Sequence, residues 1–181
     1  YRRIMSITFH PDGRIIHNGV NVASKPMIDR YALVDPDITS ATDPLTNWGR
    51  LTTGADALLG SAEGGGMSLS SGIFTFPSTG FYLILWSAGL YFSGSGDTGA
   101  GFNLHTTANN GTSWRAYSNI DVGYTSATLH GHLTDQAVLD ITDVSQQKVK
   151  FITSSFSSGT KVKTNNSQYM TNCNFIKLAD T

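Results

Sequence analysis

Apolar residues recur along this chain in short, strand-length groups, and no segment sustains a helical repeat over about ten residues. Ile4, Met5, Ile7 and Phe9 lead into His10-Pro11-Asp12-Gly13, and Arg14, Ile15 and Ile16 lead out towards Asn18-Gly19. Proline presets φ and Gly or Asn accepts positive φ, so both clusters read as turns. The stretch from Tyr1 to Val22 therefore predicts a short hairpin. Residues Ala23 to Gly66 are weakly periodic and carry Pro26, Pro36, Pro44 and Gly64-Gly65-Gly66. They predict a mostly irregular connection with one or two short strands, such as Arg30 to Val34. Gly54 to Glu63 is the best helix candidate, and it is short and bounded by glycine.

From Met67 onward strand signals come in close succession. Ile73, Phe74 and Phe76 precede the turn Pro77-Ser78-Thr79-Gly80, and an aromatic-rich run from Phe81 to Trp86 follows. Similar runs occupy Gly89 to Phe92, Gly101 to Thr106, Trp114 to Ile120, Ser126 to Leu133, Gln136 to Ile141, Lys148 to Thr153 and Asn174 to Leu178. Gly94-Ser95-Gly96-Asp97, Asn109-Asn110-Gly111, Asp143-Val144-Ser145, Ser157-Ser158-Gly159 and Asn165-Asn166 punctuate them. Many short strands separated by turn signals predict an all-β, antiparallel jelly-roll sandwich. The expected division is an N-terminal hairpin and irregular attachment segment over residues 1–66, then the jelly roll over residues 67–181.

The segment Gly72-Ile73-Phe74-Thr75-Phe76-Pro77-Ser78-Thr79-Gly80-Phe81-Tyr82-Leu83-Ile84 resembles the opening strand pair of the C1q/TNF-like jelly roll. That pattern is an aromatic strand, a proline, a turn closed by glycine, then aromatic and apolar residues. Ala137 to Ile141, followed by Val149 to Ile152, is similar to the family's penultimate strand pair, and Tyr169, Cys173, Phe175 and Leu178 resemble its buried last strand. The resemblance covers roughly Gly66 to Leu178 and implies a homotrimer. Asp143 to Lys148 stands where the family often has a Gly-Asp turn, and no collagen-like repeat precedes the domain. The Ser, Thr, Asn and Gly bias and the irregular lead resemble the jelly-roll tips of bacteriophage fibres and head decorations.

A jelly roll of this kind leaves one sheet face apolar, an aggregation liability unless neighbouring copies cover it. Phe81, Leu83, Trp86, Tyr91, Phe151 and Phe175 are the candidates for that trimer seam, and the sequence does not separate seam from internal core.

Charged residues make up only 14% of the chain, against roughly 25% for soluble domains, and the formal net charge is −1. No electrostatic footprint for nucleic acid or an anionic membrane follows from that balance, and no apolar run approaches a membrane span. Cys173 is the single cysteine, so an intrachain disulfide is impossible and a buried thiol is expected. The start at Tyr1 suggests a processed chain or a fragment.

Candidate chemistry is sparse. His130 and His132 form a His-x-His pair on a predicted strand, without further ligands at motif spacing. His10, His17 and His105 stand apart, and Asp97, Asp121, Asp135, Asp140 and Asp143 sit at strand ends or loops without a calcium-loop pattern. No nucleophile elbow is present, and Gly94 to Gly101 lacks the lysine and helix of a phosphate loop. Trp114, Tyr117 and Tyr124, with Asn109 and Asn119, combine aromatic faces with amides, a set able to grip a sugar or simply to pack loops. The expectation is a non-catalytic virion protein without cofactor or metal: a trimeric phage fibre or receptor-binding domain, attached through its N-terminal segment to other virion proteins. A capsid decoration or head-fibre protein, and a secreted lectin-like module binding host glycan, are the alternatives.

Overall fold

The computed structural model describes residues 7–9, 15–17, 20–21, 27–50, 65–93, 99–122, 129–156, 159–165 and 170–181, which contain strands and no helix. The helix candidate over 54–63 lies outside these residues. Strands β1 (Ile7–Phe9), β2 (Ile15–His17) and β3 (Val20–Asn21) form a small antiparallel sheet, one strand more than the hairpin that the N-terminal pattern predicts.

Two larger antiparallel sheets make the sandwich. The first contains β6 (Ser68–Ser70), β7 (Ile73–Thr75), β13 (Lys148–Ser154), β9 (Ala100–Thr107) and β10 (Arg115–Ser118), in spatial order β10-β9-β13-β7-β6, with β11 (Asp121–Val122) also on β9. The second runs β12 (Leu129–Ile141), β8 (Gly80–Phe92), β15 (Asn172–Ala179), β4 (Met27–Leu33) and β5 (Trp48–Gly49), with β14 (Lys161–Val162) also on β8. Strand order far from chain order, with sheet-to-sheet crossings, is the jelly-roll arrangement.

Two differences from the sequence reading shape the molecule. Phe81–Trp86 and Gly89–Phe92 are one strand of 13 residues, and so are the two expected runs on either side of Asp135, now β12. Gly89 does not break β8, because the neighbouring segments bond to it directly: Gly89 N–H donates to Met170 O at 3.1 Å, and Lys163 N–H donates to Gly89 O at 2.7 Å. The second difference is that the sandwich draws on residues 27–49, ahead of the Met67 at which the sequence pattern opens it. Strand β4 pairs with β15 over six residue pairs, Asn172↔Ala32 to Lys177↔Met27. The following loop then completes the edge of β13 beyond β7, through Leu45 N–H to Phe151 O at 2.9 Å and a bridge between Thr42 and Thr153. Backbone groups that β7 is too short to reach are thereby satisfied.

Between the sheets lies an aromatic core. The Phe151 ring sits 5.3 Å from Trp48, 5.9 Å from Trp86, 6.0 Å from Phe74 and 5.7 Å from Phe102. Phe175 packs 5.0 Å from Phe74, and Cys173 is buried beside these rings on the same strand. At the β6–β7 turn, Ser71 and Gly72 both take positive φ, as a two-residue hairpin requires. A side chain at Gly72 would strike the Leu45 carbonyl at 2.3 Å.

The edge of this core is closed by a clasp of buried Asp29 and solvent-reaching Arg50. Arg50 grips the Asp29 carboxylate through Nε at 2.8 Å and a terminal nitrogen at 2.7 Å, while Met67 N–H donates to Asp29 Oδ2 at 2.7 Å. Tyr31 Oη donates to Met67 O at 3.0 Å and lies under the guanidinium, 4.4 Å from ring to carbon. Burial, and then the Asp29 carboxylate, push the Tyr31 phenol up, so it remains a donor. Replacing Asp29 with Ala orphans a buried N–H and removes the anchor of Arg50. The expected cost is about 1–3 kcal/mol, read as a lower denaturation midpoint with an unchanged m-value.

A second contact adds acid sensitivity. Burial pushes the Asp37 carboxyl up, but the Lys163 ammonium and the Thr164 N–H and hydroxyl outweigh it and hold the group below the usual carboxylate range. A carboxyl depressed in the folded state contributes stability above its unfolded value, about pH 4, and loses it as the pH falls through the folded value. Asp37→Asn should therefore lower Tm at neutral pH and flatten its fall between about pH 5 and pH 3, measured by thermal melts across that range.

Candidate assembly face and edge cleft

Strict alternation along β8 sorts its side chains. Tyr82, Ile84, Trp86, Ala88, Leu90 and Phe92 point between the sheets, and Phe81, Leu83, Leu85, Ser87 and Tyr91 point outward. This division resolves the candidate seam. Trp86, Phe151 and Phe175 are 2%, 0% and 0% exposed within the single chain, so they are core side chains that no neighbour reaches. Phe81, Leu83 and Tyr91 lie on the outer face.

Cross-strand register extends that face in rows. Ile28, Ile176, Leu83 and Val138 stand side by side across β4, β15, β8 and β12. Ile28 is 52% exposed, Val138 53% and Phe81 39%, so three of the five large apolar side chains that are exposed among the described residues share one face. The next row, Arg30, Asn174, Leu85 and Gln136, and the row after it, with Asn172, Ser87 and Thr134, are mostly polar. Asn172 Nδ2 donates to Ser87 Oγ at 2.7 Å and Asn174 Nδ2 to Asn172 Oδ1 at 3.1 Å. His130 and His132 occupy outward positions further along β12, the His130 ring 5.2 Å from Tyr91. No group of three or more His, Cys, Asp or Glu residues able to hold a metal occurs among the described residues.

Of the loop residues singled out as able to grip a sugar or pack loops, Trp114, Asn109 and Tyr117 make contacts within the chain. Trp114 is half-buried and covers Lys150, whose ammonium stands 4.7 Å from the ring and pairs with Asp43. Burial, and then the Lys150 charge, lower the His105 pKa, with Asp43 opposing. Asn109 braces its own loop: Oδ1 accepts from Ser113 N–H at 2.9 Å and Thr107 Oγ1 at 2.8 Å, and Nδ2 donates to Ser113 Oγ at 2.8 Å. Tyr117 is exposed and donates to Val138 O at 3.4 Å. Asn119 is exposed, and Tyr124 lies outside the described residues.

Beside the Tyr117 contact, Ser118 hydrogen-bonds Asp135, so the edge strands β10 and β12 are tied together at one end. Towards the Asn109 loop they separate and leave an open cleft of about 420 Å³. Leu139, Ile141 and Val149 form an apolar floor, and Asn109, Ser113 and Arg115 stand at its polar side. Neither this cleft nor the Ile28–Val138 row was singled out by sequence. The signal for Arg115 was a lone cation in a polar strand, and the row needs the register.

Solved structures share this fold. Eiger TNF from S. frugiperda superposes with a TM-score of 0.61 at 13% identity, covering 87% of this chain and 96% of that one. Murine APRIL superposes with a TM-score of 0.59 at 12% identity, covering 85% of this chain and 100% of that one. No protein-family model and no curated protein matches the sequence. The chain is thus a TNF/C1q-like jelly roll in fold, with the context of its use left to its own surfaces.

Proposed function

We propose that the chain is a non-catalytic, homotrimeric binding module, displayed on a virion surface as the tip of a fibre or receptor-binding protein. One observation carries the trimer: the exposed Ile28, Phe81 and Val138 share a single sheet face with Leu83, Leu85 and Ile176. Apolar surface of that continuity is favourable to bury and self-complementary partners are copies of the same chain. The polar rows beside it supply amides and hydroxyls that donate and accept equally, as a contact between identical surfaces needs. TNF-like structures matching over most of their length support the same assembly mode.

The non-catalytic reading is supported by Cys173, whose thiol is buried and pushed well above its ordinary range, away from the thiolate form a nucleophile needs. The virion setting is supported by a surface rich in Ser, Thr, Asn and Gly with few charges. In this reading the residues ahead of Met27 join the module to other virion proteins.

Light scattering tests the trimer. The expected mass is three times 19.4 kDa, near 58 kDa, and a chain that stays at 19.4 kDa at every concentration overturns the proposal. Val138→Asp places a carboxylate within the buried contact and should raise the dissociation constant by about 100-fold or more, roughly 2.7 kcal/mol, with an unchanged far-UV spectrum.

A further inference from the structure

We infer that the cleft between β10 and β12 binds a saccharide bearing a single carboxylate, with Arg115 as its anchor. The inference names a ligand class for the binding module proposed above, yet the cleft is complete within one chain and uses no trimer contact.

The Arg115 side chain is exposed and makes no hydrogen bond or ion pair with another described residue. It pairs with Thr106 across the ladder, and both lie on the side of their sheet that lines the cleft. Lys148 lies across β9, and its ammonium hydrogen-bonds Asn110, in the loop above the cleft. Asp140 also lines the cleft, but it belongs to the outward-facing set of β12, opposite Phe81, and its main-chain carbonyl accepts from Gln147 Nε2. By the same alternation Lys148, opposite Thr107, faces away from Val149, so the charged head on the cleft side is the Arg115 guanidinium fork. A guanidinium meets a carboxylate with two parallel hydrogen bonds, a geometry an ammonium does not offer.

The remaining walls select the body of the ligand. Leu139, Ile141 and Val149 offer an apolar floor, and Thr106, Asn109 and Ser113 stand around it with hydroxyl and amide groups. An apolar floor below a hydroxylated rim fits a sugar ring, which has C–H faces and a belt of hydroxyls. The rim is already organised, because Asn109 holds Ser113 and Thr107 in place, so little ordering is lost on binding. A peptide strand adding to the edge of β10 would meet the side-chain ties that Tyr117 and Ser118 make to β12. A sulfated polyanion requires a dense basic surface, which a net charge of −1 does not provide.

The test titrates the full chain with N-acetylneuraminic acid and glucuronic acid, their methyl esters, glucose, heparin and a glutamate-rich peptide, followed by amide chemical shifts. At least one free sugar acid should bind with a Kd of about 1 mM or tighter, shifting Thr106, Ser113 and Val149, and its uncharged ester should bind about tenfold more weakly. Arg115→Ala should cost at least about tenfold, and Arg115→Lys an intermediate loss, with an unchanged melting temperature because the side chain is exposed. Equal binding of acid and ester, an unaffected Arg115→Ala, preference for heparin or the peptide, or silence of both sugar acids up to about 20 mM overturns the inference. Light scattering on the same samples separates the two proposals: a monomer that binds the acid refutes the trimer alone, and a trimer that ignores it refutes the cleft alone.

Discussion

The pairing of β8 with β12 governs the rest of the molecule. Thirteen successive residue pairs, from Ile141↔Gly80 to Leu129↔Phe92, lock two 13-residue strands in one register. In a sheet the side-chain period is two, so this register decides together which residues enter the core and which face outward. Trp86 and Ile84 are core because Phe81 and Leu83 are not. The aromatic cluster around Phe151 follows, since β15 and β13 can bring Phe175 and Phe151 to Trp86 and Phe74 only across that inner face. With the core so fixed, the Asp29–Arg50 clasp serves to hold the sandwich edge where residues 50 and 67 approach each other.

Asp29 is buried while Arg50 reaches solvent, and an ion pair of this kind seldom raises stability over a well-packed apolar alternative, so the clasp is better understood as a specifier of geometry. Asp29 accepts three hydrogen bonds, two from Arg50 and one from Met67 N–H, and Met67 O in turn accepts from Tyr31 and Arg50. Every polar group at this corner thereby has one arrangement that satisfies it. The loop from Val34 to Asn47 achieves a similar end by acting as a replacement strand, with Thr42, Leu45 and Ile38 bonding to β13 and β14. A sequence scan for strands passes over such a segment, because its contribution is made of isolated bridges.

What could be read from sequence divides along physical lines. The existence of the strands was legible, since turns such as Pro77-Ser78-Thr79-Gly80 carry their own local chemistry. The jelly roll was legible through the same motif. The two faces of β8 were not, because Phe81-Tyr82-Leu83-Ile84-Leu85-Trp86 is apolar at every position and period two leaves no trace in it. Continuity of β8 through Ser87 to Gly89 was hidden for another reason: glycine is tolerated there because Met170 O approaches closely, a contact from a distant part of the chain. Which of the two readings applies to Trp114 was hidden in the same way. Its ring looks available in sequence, yet Lys150 occupies a face of it through a pairing set by the fold.

Strand β12 joins the two proposed functions, and the pleat keeps them apart. Val138 stands in the apolar row of the outer face, while Leu139, the next residue, forms part of the cleft floor on the other side. In the two proposals adjacent residues would thus take separate parts, and Tyr117, reaching from β10 to the Val138 carbonyl, spans the boundary. Because the alternation is rigid, the separation holds only while the register does: a slip of one residue would carry Leu139 outward and Val138 inward, exchanging the two surfaces. The fully paired β8–β12 ladder is what prevents that slip, so the longest stretch of regular backbone among the described residues is also the element on which the distinctness of the two faces rests.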